Sequence, residues 1–123
     1  LFTYFILPHR GGYDPVMATR FGIETTRPLI ALLVDSRTPA ELPSPVTVES
    51  ESVLPVECKP SRDGRGIILR LFNPQQAPAE AALKLDEKKL SRVWLTDLSE
   101  RPGAPLSGPV TVPGFGLVSL RLE

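Results

Sequence analysis

The sequence predicts an all-β fold: an antiparallel β-sandwich of about nine short strands, with one short helix near the N-terminus. Three observations carry this prediction. Prolines and glycines, 14 and 9 of the 123 residues, fall between short apolar runs, so the elements are short and the turns many. Most of those runs are rich in β-branched and aromatic residues and alternate with a period of two. No stretch sustains a helical period long enough for an alternating βα fold, and no internal repeat is present. Hydrophobic residues at 41% supply a core, and the length suits one ordinary domain or two very small ones.

The elements follow in order. LFTYFIL (Leu1–Leu7) is aromatic and β-prone, and Pro8 closes it. HRGGY is a loop. In DPVMATRFG, Asp14 can cap a helix, Pro15 suits its first position and Gly22 suits its end, which predicts about two turns. RPLIALLV (Arg27–Val34) is a continuous apolar run and reads as a strand buried on both faces. DSRTPAELPSP (Asp35–Pro45) is a proline-punctuated linker and marks the boundary between residues 1–45 and 46–123. Val46–Glu49 and Val53–Lys59 are the next strands. Leu54, Val56 and Cys58 share one face of the second, so Cys58 is expected as a small buried side chain. Asp63-Gly64 is a strong turn signal before the strand Gly66–Phe72. NPQQAP turns the chain into Glu80–Leu85, with Ala81, Leu83 and Leu85 inward. DEKK is a charged turn. Arg92–Leu98 carries Trp94, expected to pack in the sandwich with Thr96 and Leu98 on its face. After a loop, Val110–Val112 and Gly116–Leu122 complete the set, with GFG letting the chain enter the last strand.

Charge and composition exclude several functions. Fourteen basic and fourteen acidic residues balance to zero, so nucleic acid and anionic membrane are not expected partners. No apolar run approaches the roughly 18–20 residues of a membrane span. One cysteine allows no internal disulfide, which favours a reducing compartment and a cytoplasmic location. The sole methionine is Met17 and no secretory leader precedes LFTYFIL, so the chain reads as a piece of a longer protein.

The inventory for catalysis is small. A hydrolytic zinc site needs several His or Cys ligands, and this chain has one of each, far apart. A triad would have to use His9, which lies beside no nucleophile motif and suits a loop or interdomain contact instead. RGG and GFG match no phosphate-binding loop. The carboxylates cluster in turns, where solvated charge is the default. No catalytic or metal-binding residue is therefore assigned. Of the eight aromatics, Tyr13 and Phe115 fall in loops and are the two that suit exposure. Arg70 lies at the centre of an apolar strand, GIILRLF, among Ile68 and Phe72. It needs an acceptor, either an internal partner or a group on another domain or ligand. His9, Tyr13 and Arg70 are thus the candidate interdomain or ligand-facing residues.

Beside this reading stands a resemblance. FTYFILPHRGGYD resembles the segment F-x-Y-(apolar)-x-x-P-H-x-G of glycoside hydrolase family 38, the α-mannosidases. RPLIALLV is similar to the N-x-P-L strand that follows it there, with Arg27 where that family often has Asn. VTVESESVLPVECKPSRDGRGIILRLFNP is similar to a late segment of the family, with Lys59, Asp63, Gly64, Gly66, Arg70, Leu71 and Asn73 matching. VWLTDLSERP resembles the family's next strand, which ends in Leu and Glu. The resemblance implies a retaining exo-acting α-mannosidase whose zinc ligands and aspartate nucleophile lie in an N-terminal catalytic domain, none of it in this chain. It implies that residues 1–45 are the tail of a larger β-sandwich and residues 46–123 a small C-terminal one. The cofactor would be zinc in the absent domain, and the partner the remainder of the parent hydrolase, with a homo-oligomer as a second option. Three readings follow: a structural and interdomain module of such a hydrolase, inactive alone; a free-standing carbohydrate-binding β-sandwich; or an immunoglobulin-like interaction domain.

Overall fold

The computed structural model describes residues 2–27, 29–31, 33, 35, 37, 44–86 and 90–123. One helix, α1 (Pro15–Thr26), precedes seven strands. They are β1 (Val46–Glu49), β2 (Leu54–Pro60), β3 (Ile67–Phe72), β4 (Ala79–Leu85), β5 (Val93–Thr96), β6 (Val110–Val112) and β7 (Leu117–Leu122). They form two antiparallel sheets, ordered β1-β4-β6 and β2-β3-β7-β5.

The sheets face each other across one core, as period-two burial requires. Val46, Ala81, Val110 and Val112 come from the three-stranded sheet, and Leu69, Leu71, Leu120 and Leu122 from the four-stranded one. Val53 and Leu90 close the ends, and Leu83 and Leu85 pack against this cluster from β4, as the alternation of that strand predicts.

The prediction of about nine strands exceeds the seven found among the described residues, and the difference lies in the N-terminal third. Residues 2–9 form no strand, and neither do the described residues 29–31 and 33 of the second apolar run. Their large side chains are open to solvent: Phe2 88%, Tyr4 84%, Ile6 86%, Leu29 101% and Leu33 107% exposed. The expectation of a doubly buried strand over Arg27–Val34 is therefore corrected at these positions. A strand is held by pairing and burial, and no described strand offers either to these segments. Leu1, Pro28, Leu32 and Val34, most of the predicted linker, and Glu87, Lys88 and Lys89 of the predicted charged turn lie outside the described residues.

Helix α1 begins as predicted and ends later. The Asp14 carboxylate accepts from the N–H groups of Val16 (2.8 Å) and Met17 (3.1 Å), and Pro15 opens the first turn. Gly22 does not stop the helix. A helical glycine costs about 1 kcal/mol relative to alanine, and Gly22 lacks the positive φ of a terminating one. The stop comes at Arg27 (φ −118°, ψ 86°), which precedes Pro28 and is pushed out of the helical region by it.

Two strand-face predictions are also corrected. The register of β2 on β3 shifts between Pro55 and Glu57, so Val56 is bulged. Cys58 then stands opposite Leu69 on an edge strand and is exposed rather than buried. Trp94 is half-buried because β5 is the other edge of its sheet, and Leu98 beyond it is exposed. The Arg92 guanidinium sits 5.3 Å from the Trp94 ring centroid. Trp94→Ala is accordingly expected to cost about 1–2 kcal/mol, combining partial burial with a cation–π contact of about 0.5–1 kcal/mol. A buried aromatic would cost about 3–5 kcal/mol. Thermal melting of the variant distinguishes the two.

Candidate functional site

Lys59 and Asp63, two of the residues that carry the family resemblance, belong to a polar network on the outer face of the four-stranded sheet. Lys59 and Arg121 flank Ile68 in register on neighbouring strands. The Asp63-Gly64 turn joins β2 to β3, with Gly64 at φ 70° and its N–H donating to the Ser61 carbonyl (2.9 Å). Asp63 accepts from the Ser61 hydroxyl (2.7 Å), from the Arg65 N–H (3.1 Å) and from Arg121 Nη2 (2.8 Å). These contacts, the Ser61 hydroxyl first, hold its carboxyl far below the usual carboxylate range. Glu100, buried in the loop after β5, pairs with Lys59 and accepts from the Arg62 N–H (2.7 Å). Its carboxyl is also lowered, first by the Lys59 ammonium. Arg121, nearly inaccessible, donates Nη1 to the Glu100 carbonyl (2.7 Å) and Nε to Glu123 (2.8 Å). One buried arginine thus ties together the β2–β3 turn, the loop after β5 and the end of β7.

The remaining matched positions are structural too. Gly66 is required because a β-carbon there would lie 2.3 Å from the Leu122 carbonyl oxygen. Leu71 is fully buried. Asn73, also fully buried, donates to the carbonyls of Ala77 (2.8 Å) and Val112 (3.2 Å) and accepts from the Gln75 N–H (3.0 Å). It fastens the β3–β4 turn to the β6–β7 turn.

Arg70 has a specific charge partner, Glu57, with which it forms an ion pair rather than a hydrogen bond. Its Nη1 lies 2.6 Å from Glu57 Oε2, directly across the β2–β3 pair, and both side chains are partly exposed. Its Nε has no hydrogen-bond partner among the described residues. His9 and Tyr13 stand on the exposed N-terminal segment, Tyr13 at 77%. No hydrogen bond or ion pair among the described residues joins either of them to Arg70. Sequence reasoning singled out none of Arg121, Glu100 or Asn73 as a centre. A charged residue inside the apolar run LVSLRL was the available signal for Arg121, the same signal that drew attention to Arg70.

Among the described residues, no group of three or more His, Cys, Asp or Glu is arranged to hold a metal ion. The zinc that the resemblance implies is assigned to a catalytic domain outside this chain. No described helix is long and apolar enough to cross a membrane.

Two clefts have other chemistry. One, of about 490 Å³, opens between β4, β5 and the 105–109 loop, with Leu83, Leu85, Val93 and Trp94 in its wall. Arg92 already covers the Trp94 ring. The other, of about 380 Å³, lies where the start of α1 meets the β3–β4 turn, and is lined by Asp14, Arg20, Glu51, Ser52 and Gln75 among others.

Human alpha-mannosidase 2C1 is 31% identical over 106 residues, which cover 82% of this chain and 10% of that protein. The chain thus spans about a tenth of the length of that curated relative. No solved structure matches. Residues 53–120, which hold β2 through most of β7 and stop one residue before Arg121, match the family described as glycosyl hydrolases family 38 C-terminal beta sandwich domain. That match covers more than half of the chain, and by it the chain belongs to this family.

Proposed function

We propose that this chain is a non-catalytic structural and interdomain module of an α-mannosidase-like glycoside hydrolase, supporting a catalytic domain that removes terminal α-mannosides. In this reading residues 1–45 complete a larger β-sandwich and residues 46–123 form the small terminal one. A retaining mechanism and its zinc belong to the catalytic domain, and the free Cys58 suits a cytoplasmic setting.

The observation that carries the reading is the uncovered apolar surface before β1. Phe2, Tyr4 and Ile6 alternate along the sequence and are each more than four-fifths exposed, as are Leu29, Ile30 and Leu33. Leaving this many large apolar side chains in water forgoes about 1.5–3 kcal/mol for each one that could be buried. A monomeric surface rarely carries such a patch without a partner. The adjoining part of the parent chain is the natural cover. Arg27, at the end of α1, donates to the Val56 carbonyl at the β2 bulge and fastens this segment to the small sandwich.

The Arg70–Glu57 pair supports an internal role for Arg70, and His9 and Tyr13 remain the interdomain candidates. The test is Ile6→Asp in two settings. In the 123-residue chain it is expected to leave the stability within about 0.5 kcal/mol of the original, as for other exposed sites. In the parent hydrolase it is expected to lower both the melting temperature and the turnover of an aryl α-mannoside. A parent enzyme indifferent to the change would remove the reading.

A further inference from the structure

A sheet edge exposes unpaired main-chain groups, which a folded chain covers or blunts. Three edges of this sandwich are managed in that way. β2 carries Pro55, Pro60 and the bulge at Val56. β5 is covered by the loop that follows it: the Leu95 N–H donates to the Ala104 carbonyl (2.8 Å) and the Leu106 N–H to the Val93 carbonyl (2.9 Å). β1 has only four residues, and its Val46 carbonyl takes the Ser44 hydroxyl (2.6 Å).

The edge of β4 that faces β6 is different. β4 runs over seven residues, but β6 pairs with Ala79, Glu80 and Ala81 alone. The chain before β6 comes from beside β5, where Pro105 bridges Trp94, and Gly108 (φ 90°) and Pro109 bring it onto β4 only at Val110. On the other side of β4, the Asp86 N–H donates to the Pro45 carbonyl (3.0 Å) and the Glu80 carbonyl takes the Ser50 hydroxyl (2.8 Å). The even-numbered residues of β4 thus turn their main-chain groups toward β1. Alternation directs the N–H and C=O of Leu83 and Leu85 the opposite way, where no strand among the described residues meets them. They open into the 490 Å³ cleft, whose far wall is Val93, Trp94 and Leu106. Leu83, Leu85, Val93 and Leu106 pack on the core but are only partly buried. An apolar gap between the sheets therefore lies open along an unpaired strand edge.

We infer that this cleft receives an extended segment of a partner polypeptide, which pairs with β4 beside Leu83 and Leu85 and carries apolar side chains at alternate positions. Main-chain donors and acceptors repeating every second residue are matched by another strand, as in β-augmentation. In such a strand the residues that pair with Leu83 and Leu85 also point their side chains inward, so the same residues satisfy the edge and fill the gap. The open stretch Ala82–Leu85 is about 13 Å long at strand rise, room for about four residues. Arg92 is the charged residue of the lining, and it forms no ion pair among the described residues, which favours an acidic residue at one end of the segment. The inference goes beyond the interdomain reading and uses none of the N-terminal segments on which that reading rests.

The test adds the peptide acetyl-Glu-Val-Ser-Val-Ser-Val-amide to the ¹⁵N-labelled 123-residue chain. In the free chain the Leu83 and Leu85 amides should exchange rapidly beside protected Ala82 and Lys84 amides, which face β1. Saturating peptide should slow Leu83 and Leu85 by about tenfold or more, with saturable amide shifts there and at Val93 and Gly108. The same peptide N-methylated at its valines lacks the pairing donors and should bind about tenfold more weakly or not at all. Replacing its Glu by Lys should weaken binding about two- to fivefold, and Arg92→Glu, an exposed substitution, should reverse that preference. Protection of Leu83 and Leu85 in the free chain, absence of saturable shifts, equal binding of the methylated peptide, or a charge preference indifferent to Arg92→Glu would overturn the inference. Protection that appears when the chain alone is concentrated would give the edge to a second copy and overturn it too. Failure here leaves the interdomain reading standing, because the Ile6→Asp comparison does not involve this cleft.

Discussion

Gly114→Ala is expected to lower the unfolding free energy by about 3 kcal/mol or more, at the top of the range for overpacking a site that cannot relax. A β-carbon at Gly114 would stand 1.8 Å from the carbonyl oxygen of Gln76 and 2.5 Å from its carbonyl carbon. Both are backbone atoms, so no side chain can swing aside. The turn that carries Gln76 is itself held on several sides. The Asn73 N–H donates to the Gly116 carbonyl (3.1 Å), the Phe115 N–H donates to Gln75, and the Asn73 amide grips Val112 and Ala77. Relief requires parting the β3–β4 and β6–β7 turns and exposing Asn73, whose buried polar atoms would each lose about 1–3 kcal/mol if left unpaired. Gly12→Ala is the control, since nothing lies near that position. Urea unfolding should show a large drop in midpoint for the first variant and almost none for the second. A Gly114→Ala protein as stable as the original would mean that the two turns are not packed as described.

Arg121→Ala is expected to cost about 3 kcal/mol, the lower end of the range for breaking a buried ion pair. The lower end applies because Asp63 is about half exposed and can rehydrate once its partner is gone. The variant should also change the response to acid. The Asp63 and Glu100 carboxyls are lowered in the folded protein, by the Ser61 hydroxyl and the Lys59 ammonium first. Groups with depressed folded pKa values contribute stability that is complete above their unfolded values and is lost as the pH falls toward the folded ones. With unfolded carboxylates near pH 4, melting temperature should be flat around neutrality and fall below about pH 4. In Arg121→Ala the fall should be shallower, because Arg121 is the second cause of the Asp63 shift. Melting curves across pH for both proteins check the sign and the difference.

The small sandwich was legible because its signals are local. Alternation in AALKL and LVSLRL, the Asp63-Gly64 turn and the Asp14-Pro15 helix start each state a backbone conformation that short-range contacts then enforce. What failed depended on neighbours. The bulge at Val56 shifted the β2 register, which nothing in VLPVECKP marks, and Cys58, though opposite core Leu69, is exposed because β2 is an edge strand. Trp94 was assigned to the core on its size, but edge position decided its burial. LFTYFIL and RPLIALLV are strong strand sequences whose described residues form no strand, because pairing and cover are long-range and no described element supplies them. The candidate sites divided in the same way. Arg70 was found by its contrast with an apolar strand and has its partner in Glu57. Arg121 and Glu100 went unnoticed, because which charged residue lies beneath a loop is a matter of tertiary packing rather than of pattern.

That mismatch between strand-like sequence and absent strand is the centre of the account, and hydrogen exchange measures it directly. Amides of residues 2–7 and 29–31 should exchange rapidly in the 123-residue chain, while those of β3 and β7 stay protected. In the proposed parent hydrolase the same N-terminal amides should be slowed by orders of magnitude, as members of a paired and covered sheet. Rapid exchange of these segments in both proteins would contradict the claim that they complete a neighbouring domain.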